Sequence, residues 1–259
     1  MNGCVKILFL YSKLMNLYGG YSNIVVLERH LKDQGFKVII DHFEVGDDVT
    51  FSDYQFIYLG AGTEKNQRVA LKDLSRYRKE LKTCAENGTV MLFTGNAFDM
   101  LGKEIHGLDG KNYQGLGICD FTVKEYGERR YVGDVVCSCI WDKKHPFVGF
   151  VNHSADITGI EQPSFTMKVG VENHIVTPYD GYRYHNLFGM HLIGAVLVNN
   201  PHFMKEVIML IGKQFKGFQY QEISYPYEEN SYRITLEKLS KEATNVTSKS
   251  TARSLSVPV

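Results

Sequence analysis

The stretch VMLFTGNAFDMLG, Val90–Gly102, passes from an apolar run through small residues into an amphipathic pattern. This pattern predicts a strand, a sharp turn and a helix, an arrangement on which many α/β enzymes place a nucleophile. The turn exposes the nucleophile, and backbone N–H groups at the start of the helix stabilise the anion that forms. The chemistry needs Ser, Cys or Asp at the tip, where this sequence has Thr94, Gly95 and Asn96. Gly95 supplies only backbone freedom, and Thr94 would need an adjacent base to act as a nucleophile. The pattern is therefore also consistent with a structural strand-to-helix junction that has no catalytic role.

The cysteines and histidines show no pattern typical of a metal site. Cys137 and Cys139 are two residues apart on a predicted strand, but no second Cys or His pair follows at zinc-binding spacing. His153 stands at the predicted end of a strand, and His191 shares a strand face with Ile193 because side chains alternate. Each histidine by itself is more often structural than catalytic. GLGICD does not join a strand to a helix, so we predict no phosphate-binding loop. We also predict no metal ion and no cofactor.

Composition is typical of a soluble globular protein. Hydrophobic residues make up 44% and charged residues 22%, and Lys+Arg and Asp+Glu are both 29. A net charge of zero does not support a nucleic-acid partner, and no apolar run approaches the ~20 residues of a membrane span. VKILFLY is expected to be a buried first strand rather than a signal peptide, since it contains Lys6 and lacks a cleavage site. With five cysteines and no export signal, we expect reduced thiols and a cytoplasmic location.

The elements that position these residues alternate between strand and helix in the first half of the chain. Apolar runs at Val5–Tyr11, FKVIID, YQFIYLGAG and VMLF predict strands. Helical spacing over Ile24–Gln34 stops at Gly35, and a long polar-faced helix is predicted over Gln67–Asn87. Because the strands are apolar throughout, we predict an α/β fold with a mostly parallel central sheet covered on both faces.

The second half of the chain has a different pattern. From Gly107 onward, turn glycines separate β-type runs, including FTMKVGVEN, which predicts antiparallel additions to the sheet. YDGYRYHNLFGMHLIGAVLVNNP is a last strand-like run that leads into a helix over Pro201–Lys213. We predict one domain over residues 1–217 and a C-terminal extension over residues 218–259. A short helix is expected over Ile234–Lys241, and the Ser/Thr-rich end is expected to be disordered.

Several motifs, in order and at compatible spacing over about residues 5–215, resemble those of class I glutamine amidotransferase domains of the cobyric acid synthase (CobB/CobQ) type. The first is similar to the Y-x-x-x-M-N-x-Y-G-x-x-x-N signature of GatD-type subunits of lipid II isoglutaminyl synthases. Its matching residues are Tyr11, Met15, Asn16, Tyr18, Gly19 and Asn23. FIYLGAGTEKNQ resembles F-x-G-G-G-x-x-x-x-Q, with Ala61 in place of a glycine, and FVGFVNH resembles G-F-x-N-H. The last strand-like run is similar to E-G-x-x-Y-x-N-x-x-G-T-Y-L-H-G-P-x-L-x-x-N-P.

This resemblance implies a flavodoxin-like class I glutamine amidotransferase fold and the family reaction, glutamine hydrolysis. In the family, a cysteine at the elbow attacks the side-chain amide, a histidine transfers protons, and backbone N–H groups hold the oxyanion. The ammonia then passes to a ligase. The family elbow L-x-I-C-G-G-Y-Q-L-L-G aligns here without gaps, and its cysteine falls on Gly95. The catalytic histidine falls on Ile193, so nucleophile and base are both absent.

The resemblance also implies which residues form the glutamine and oxyanion pocket. They are Gly60, Ala61, Gly62, Asn96, Arg130, Asn152 and His153. Arg130 stands where the family has an arginine that helps to bind glutamine. Thr94 and His191 are the candidate substitutes for the missing catalytic residues. Thr94 is expected to face the packed sheet, and His191 is two residues, about 7 Å, from the family histidine, beyond the ~3 Å that a Cys–His pair requires.

The sequence leaves three functions open. The first is a GatD/CobQ-type subunit, a pseudoenzyme defective in hydrolysis, that partners a Mur-ligase-like ATP-dependent ligase in cell-wall peptidoglycan amidation or a related pathway such as cobalamin biosynthesis. The second is a stand-alone binding or regulatory module, in which the Gly60–Gly62 loop, the Gly95 and Asn96 amides and Arg130 bind an anionic metabolite and release it unchanged. Glutamine or a similar small molecule is a further candidate ligand of the chain. The third is an active amidotransferase that uses non-standard residues. The paired loss at Gly95 and Ile193 favours the first, and whether the chain is an enzyme stays open.

Overall fold

The structure of the chain, a computed structural model, describes residues 2–128, 130–170 and 178–254. Strands and helices alternate at first, and short strands follow. The strands are β1 (Cys4–Leu10), β2 (Lys37–Phe43), β3 (Phe56–Leu59), β4 (Val90–Thr94), β5 (Glu104–His106), β6 (Asn112–Gln114), β7 (Thr122–Glu125), β8 (Tyr131–Cys139), β9 (Phe147–His153), β10 (Ala155–Thr158), β11 (Phe165–Gly170), β12 (Tyr179–Asp180), β13 (Tyr182–Tyr184), β14 (Leu187–Met190) and β15 (Leu192–Ile193). The helices are α1 (Ser22–Asp33), α2 (Glu64–Leu74), α3 (Arg78–Glu86), α4 (Asn96–Asp99), α5 (Val196–Asn199), α6 (Pro201–Gly212) and α7 (Pro226–Ser254).

A six-stranded sheet in the order β13-β14-β4-β3-β1-β2 forms the centre of the fold. Its neighbouring strands are parallel, except that β13 runs antiparallel to β14. The predicted α/β fold with a mostly parallel sheet is therefore confirmed. Every residue of β3 and of β4 is buried, as the uninterrupted apolar runs indicated.

Two hydrophobic cores cover the two faces of this sheet. Alternate residues of each strand enter different cores, since successive side chains point to opposite faces. Ile57 and Leu59 pack with buried residues of α2, α3 and α4. Phe56 and Tyr58 pack with buried residues of α1 and α6. The carboxyl ends of β3 and β4 thus emerge between two helical layers, where α/β proteins usually bind their ligands.

Two smaller sheets contain the strands after Gly102 other than β13 and β14. One has the order β10-β7-β5-β6 and the other the order β12-β11-β8-β9-β15. Their pairings are antiparallel except for β5 with β7, which confirms the predicted antiparallel additions. β15 directly follows the central strand β14 in the chain but pairs with β9. The chain therefore leaves the central sheet at His191, whose backbone N–H donates to Asp180 Oδ2 at 3.0 Å instead of to a strand.

Three sequence predictions differ from the structure in extent. The helix predicted over residues 67–87 is two helices separated by a 3-10 turn at Ser75–Tyr77, where Ser75 Oγ donates to the Lys72 carbonyl at 2.8 Å. The short helix over residues 234–241 lies within the longer α7, and the strand FTMKVGVEN is β11 as far as Gly170. Residues 171–173 of that predicted strand and residues 255–259 lie outside the described residues. The domain boundary at residue 217 and the disorder of the end stay predictions.

Candidate functional site

The predicted elbow is a tight strand-to-helix turn. β4 ends at Thr94 and α4 begins at Asn96, so Gly95 alone joins them. Gly95 has φ 60° and ψ −140°, a backbone conformation that only glycine adopts without strain. Its N–H donates to the Met190 carbonyl on β14 at 2.8 Å, which holds the turn against the neighbouring strand. The turn thus has the backbone of a strand-to-helix elbow, in a conformation that would be strained for any residue with a side chain.

The space beside Gly95 is filled by two apolar side chains. A Cβ atom placed on Gly95 would lie 2.7 Å from Ala61 Cβ and 2.7 Å from Ile193 Cγ2. Both distances are far shorter than the roughly 3.5–4.0 Å of a favourable carbon–carbon contact. Ala61 and Ile193 are 5% and 3% exposed, so neither can swing into solvent. Any side chain at position 95 therefore requires both neighbours to move.

This packing predicts a large cost for Gly95→Ala. We expect the free energy of unfolding to fall by about 2–4 kcal/mol, because backbone strain and overpacking add together. Urea denaturation measures the change. Gly117→Ala is the matched control: Gly117 has φ 64° and nothing within 4 Å of the position that a Cβ would take, so it should lose about 1 kcal/mol from backbone strain alone. Equal losses in the two variants, or no recovery when Ala61→Gly is added to Gly95→Ala, would contradict the packing argument.

Six of the predicted pocket residues line one cleft of about 200 Å³ next to the elbow. They are Ala61, Gly62, Asn96, Arg130, Asn152 and His153. Gly60 lies behind this lining, where a Cβ would be 2.7 Å from the Met15 carbonyl oxygen. Gly95, Ile193, Thr94 and His191 are not among the residues that line the cleft. The structure therefore brings the pocket motifs together from distant parts of the chain, whereas the roles of these residues stay predictions.

Polar groups of the cleft are bonded to one another. Gly62 N–H donates to Asn96 Oδ1 at 3.0 Å, and Asn96 Nδ2 donates to the Gly62 carbonyl at 2.9 Å. Across the cleft, Arg130 donates to Asn152 Oδ1 at 2.5 Å and to Glu64 Oε1 at 2.9 Å. The Gly62 amide, one of the implied oxyanion donors, is thus held by the side chain of Asn96, and Arg130 is paired with a carboxylate.

The two candidate substitutes are both buried and bonded to other side chains. Thr94 is 1% exposed, and its hydroxyl lies 3.2 Å from the Tyr58 hydroxyl. His191 is 3% exposed and lies between two carboxylates. Its Nε2 is 2.9 Å from Asp99 Oδ1, and its Nδ1 is 2.7 Å from Asp180 Oδ1. Each ring nitrogen therefore donates to a carboxylate, which requires the imidazolium form.

His153 and His191 form a stacked pair with unlike charge states. Their ring centroids are 3.9 Å apart and their planes differ by 4°. Burial opposes the charge on His191, but Asp180 and Asp99 outweigh it and raise the pKa of His191 to about 10. Burial, helped by the neighbouring His191 cation, lowers the pKa of His153 to about 3. His153 Nδ1 therefore donates to the Ala155 carbonyl at 3.0 Å as part of a neutral ring.

Sequence reasoning missed Asp99 and Asp180, the partners of His191. Although burial opposes its ionisation, the His191 cation lowers the pKa of the Asp180 carboxyl below its usual value. Asp99 falls where the elbow motif has Gln, and His191 falls where the closing motif has Tyr. The joint appearance of Asp and His at these two motif positions is the signal that could have indicated an ion pair.

Other chemistry is not supported by the described residues. Among them, no group of three or more His, Cys, Asp or Glu side chains could hold a metal ion, and no helix is long and apolar enough to cross a membrane. Cys137 and Cys139 are free and buried, and burial raises the pKa of Cys139 to about 11. Burial also raises the pKa of Cys119 to about 12 and raises that of Cys137 well above its usual value. These three thiols are therefore protonated and unreactive at neutral pH.

Comparisons with known proteins agree with the motifs and the fold. Residues 6–200 match the CobB/CobQ-like glutamine amidotransferase domain, and the chain belongs to this family. It is similar to subunit GatD of the glutamine-hydrolyzing lipid II isoglutaminyl synthase of Staphylococcus aureus, with 28% identity over 90% of this chain and 95% of the relative. The Streptococcus pneumoniae GatD subunit is 26% identical over 95% of this chain and 92% of the relative. A crystal structure of a glutamine amidotransferase, 13% identical, superposes with a TM-score of 0.52 over 79% of this chain and 98% of its own, and shows the fold. The motifs, the fold and the family match therefore agree on a CobB/CobQ-like glutamine amidotransferase domain.

Proposed function

We propose that this chain is a GatD/CobQ-type subunit that has kept the amidotransferase scaffold and lost glutamine hydrolysis. The packing at Gly95 is the observation that most directly supports the proposal. The family nucleophile position has no side chain, and methyl groups of Ala61 and Ile193 occupy the space beside it. A covalent intermediate needs a nucleophile there and a base within hydrogen-bond reach, and neither is present.

Substitute chemistry from neighbouring residues is not favoured. A general base must accept a proton, but both ring nitrogens of His191 already donate to carboxylates. The Thr94 hydroxyl is buried against Tyr58 and has no base beside it. The third hypothesis, an active enzyme with non-standard residues, therefore lacks both a nucleophile and a base in this geometry.

The cleft itself is retained, and this favours a subunit that still receives a small polar molecule. Its volume of about 200 Å³ suits a ligand of amino-acid size. Arg130 and Glu64 offer charges of both signs at its edge, as an amino acid requires. We propose that glutamine, or a similar molecule, binds here without being hydrolysed.

A ligase partner is proposed from the relatives and from the surface beside the cleft. Both relatives are named as subunits of a synthase. Leu17, Tyr18 and Tyr21 are 42%, 42% and 54% exposed, and Leu17 and Tyr18 also line the cleft. Exposed aromatic side chains next to a functional cleft are typical of a protein–protein interface. We propose a Mur-ligase-like ATP-dependent ligase, in cell-wall amidation or a related pathway, as the occupant of this surface.

The proposal is tested on the subunit co-expressed with its Mur-ligase-like partner. We expect a stable complex on size-exclusion chromatography, amidation of the acceptor when ammonium chloride is the nitrogen source, and no amidation with glutamine. Tyr21→Asp should weaken the complex about tenfold or more, because it places a charge in an apolar contact. Tyr227→Asp is the control, since Tyr227 is 91% exposed on α7.

Two experimental results would replace the proposed function by one of the other two hypotheses. Glutamine-dependent amidation that disappears in Thr94→Ala would establish the active enzyme with non-standard residues. A monomer that binds no ligase and retains a metabolite through purification would establish the stand-alone binding module instead.

A further inference from the structure

A second cavity of about 500 Å³ lies next to the stacked histidines. His153 and Ala155 line both this cavity and the smaller cleft, whereas His191 and Asp180 are among the residues that line only the larger one. The volume is within the range of small-molecule sites, about 300–1,000 Å³. The resemblance to amidotransferases places the glutamine pocket in the cleft and assigns no ligand to this larger space.

The cavity has apolar walls. They come from the strands of both smaller sheets and from the loop after β10, and they include Val135, Val151, Ile157, Ile160 and Met167. Val135 and Val151 are each 1% exposed and belong to the packed core, whereas Ile157, Ile160 and Met167 are half-buried. A ligand that fills the space must therefore have an apolar body, which contributes about 25 cal/mol per Å² of buried apolar surface.

The charged groups of the cavity are mostly acidic. Asp156, Glu161 and Asp180 line it together with one cation, His191, and no Lys or Arg is among its described lining residues. His191 is already paired with both Asp99 and Asp180, so its charge is neutralised within its own cluster. Asp156 accepts a hydrogen bond from the Tyr131 hydroxyl at 3.1 Å, which fixes the carboxylate at the wall.

We propose that this cavity binds a small organic ammonium ion, an amine attached to an apolar body. Carboxylates at the wall pair with the ammonium group and compensate its desolvation, whereas an anionic ligand would meet repulsion. Tyr131, which lines the cavity, adds an aromatic ring of a type that attracts cations. This assignment is independent of the loss of glutamine hydrolysis, because none of the acidic groups lies at the elbow.

Isothermal titration calorimetry of the full chain with three probes of one shape tests the proposal. Tryptamine carries an ammonium group, 3-ethylindole is neutral, and indole-3-propionate is an anion. We expect tryptamine to bind at least about tenfold more tightly than either of the others, a difference that corresponds to about 1.4 kcal/mol.

Variants then locate the binding. Asp156→Asn keeps the acceptor for Tyr131 but removes the charge, and should weaken tryptamine about fivefold to tenfold. Ile160→Trp should fill the cavity and abolish binding, and Glu86→Gln, an exposed carboxylate on α3, should change nothing. Equal affinity for the three probes, no tryptamine binding at millimolar concentration, or the same affinity in Asp156→Asn and Ile160→Trp as in the parent chain would overturn the proposal.

Discussion

Gly95→Cys alone will leave the chain without glutamine hydrolysis, and Ala61→Gly with Gly95→Cys and Ile193→His will restore it. The new thiol cannot take its place while Ala61 Cβ and Ile193 Cγ2 each lie 2.7 Å from the position of its Cβ. Ile193→His removes the branched side chain and supplies a base, and Ala61→Gly removes the other methyl group. We expect ammonia release from the triple variant at least about 100-fold above the parent, because nucleophile and base act as a unit.

Iodoacetamide labelling measures whether the new thiol is accessible to a reagent, independently of whether it can hydrolyse glutamine. The thiol introduced at position 95 should be labelled quickly in the triple variant and slowly in the single one, while the buried Cys119 and Cys137 serve as internal controls. Adding Asn96→Gly should raise hydrolysis further, by about 100-fold, since it releases the Gly62 amide for the oxyanion. Rapid hydrolysis by Gly95→Cys alone would show that the elbow is not closed by its neighbours.

His191→Gln will lower the free energy of unfolding by about 3–5 kcal/mol, since it leaves Asp99 and Asp180 as buried carboxylates without their cation. Asp99→Asn combined with His191→Gln should cost less than the sum of the two single changes, because one unpaired charge is then gone. His106→Gln is the control, since that ring lies on the surface near Glu104. Denaturation in urea at pH 7 measures all four variants, and strict additivity would contradict a coupled ion cluster.

The same cluster makes stability depend on pH in both directions. The pKa of His191 is raised to about 10 in the folded state. Its contribution to the free energy of unfolding is therefore complete below the pKa of histidine in the unfolded chain, about 6.5, and is lost as pH rises toward 10. The pKa of His153 is lowered to about 3, so its contribution is complete above about 6.5 and is lost as pH falls. Asp180 adds to the loss in acid, since its pKa is lowered. Stability should therefore be greatest near pH 6.5, and His191→Gln should abolish the alkaline decline; a decline that persists would assign it to other groups.

Much of the fold followed from local sequence patterns. Uninterrupted apolar runs predicted the buried parallel strands β1, β3 and β4, and turn glycines predicted the antiparallel sheets. The helix over residues 67–87 was predicted too long, since the Ser75 side chain bonds to the backbone and helical periodicity does not register that competition. His191 was placed on a continuous strand, but its backbone N–H bonds to Asp180 and the chain changes sheets there.

The sequence by itself determined the elbow, the family and the absence of cysteine at Gly95 and of histidine at Ile193. These features depend on residue identity and on spacing along the chain, which a motif records directly. Only the tertiary structure decided that Ala61 and Ile193 close the space beside Gly95, and that Asp99 and Asp180 hold His191 as a cation. Asp99 and His191 are 92 positions apart, and their contact arises from the packing of the elbow helix against the end of β14. Local secondary-structure propensities cannot predict such contacts, because the contacts form only when distant segments of the chain pack into one core.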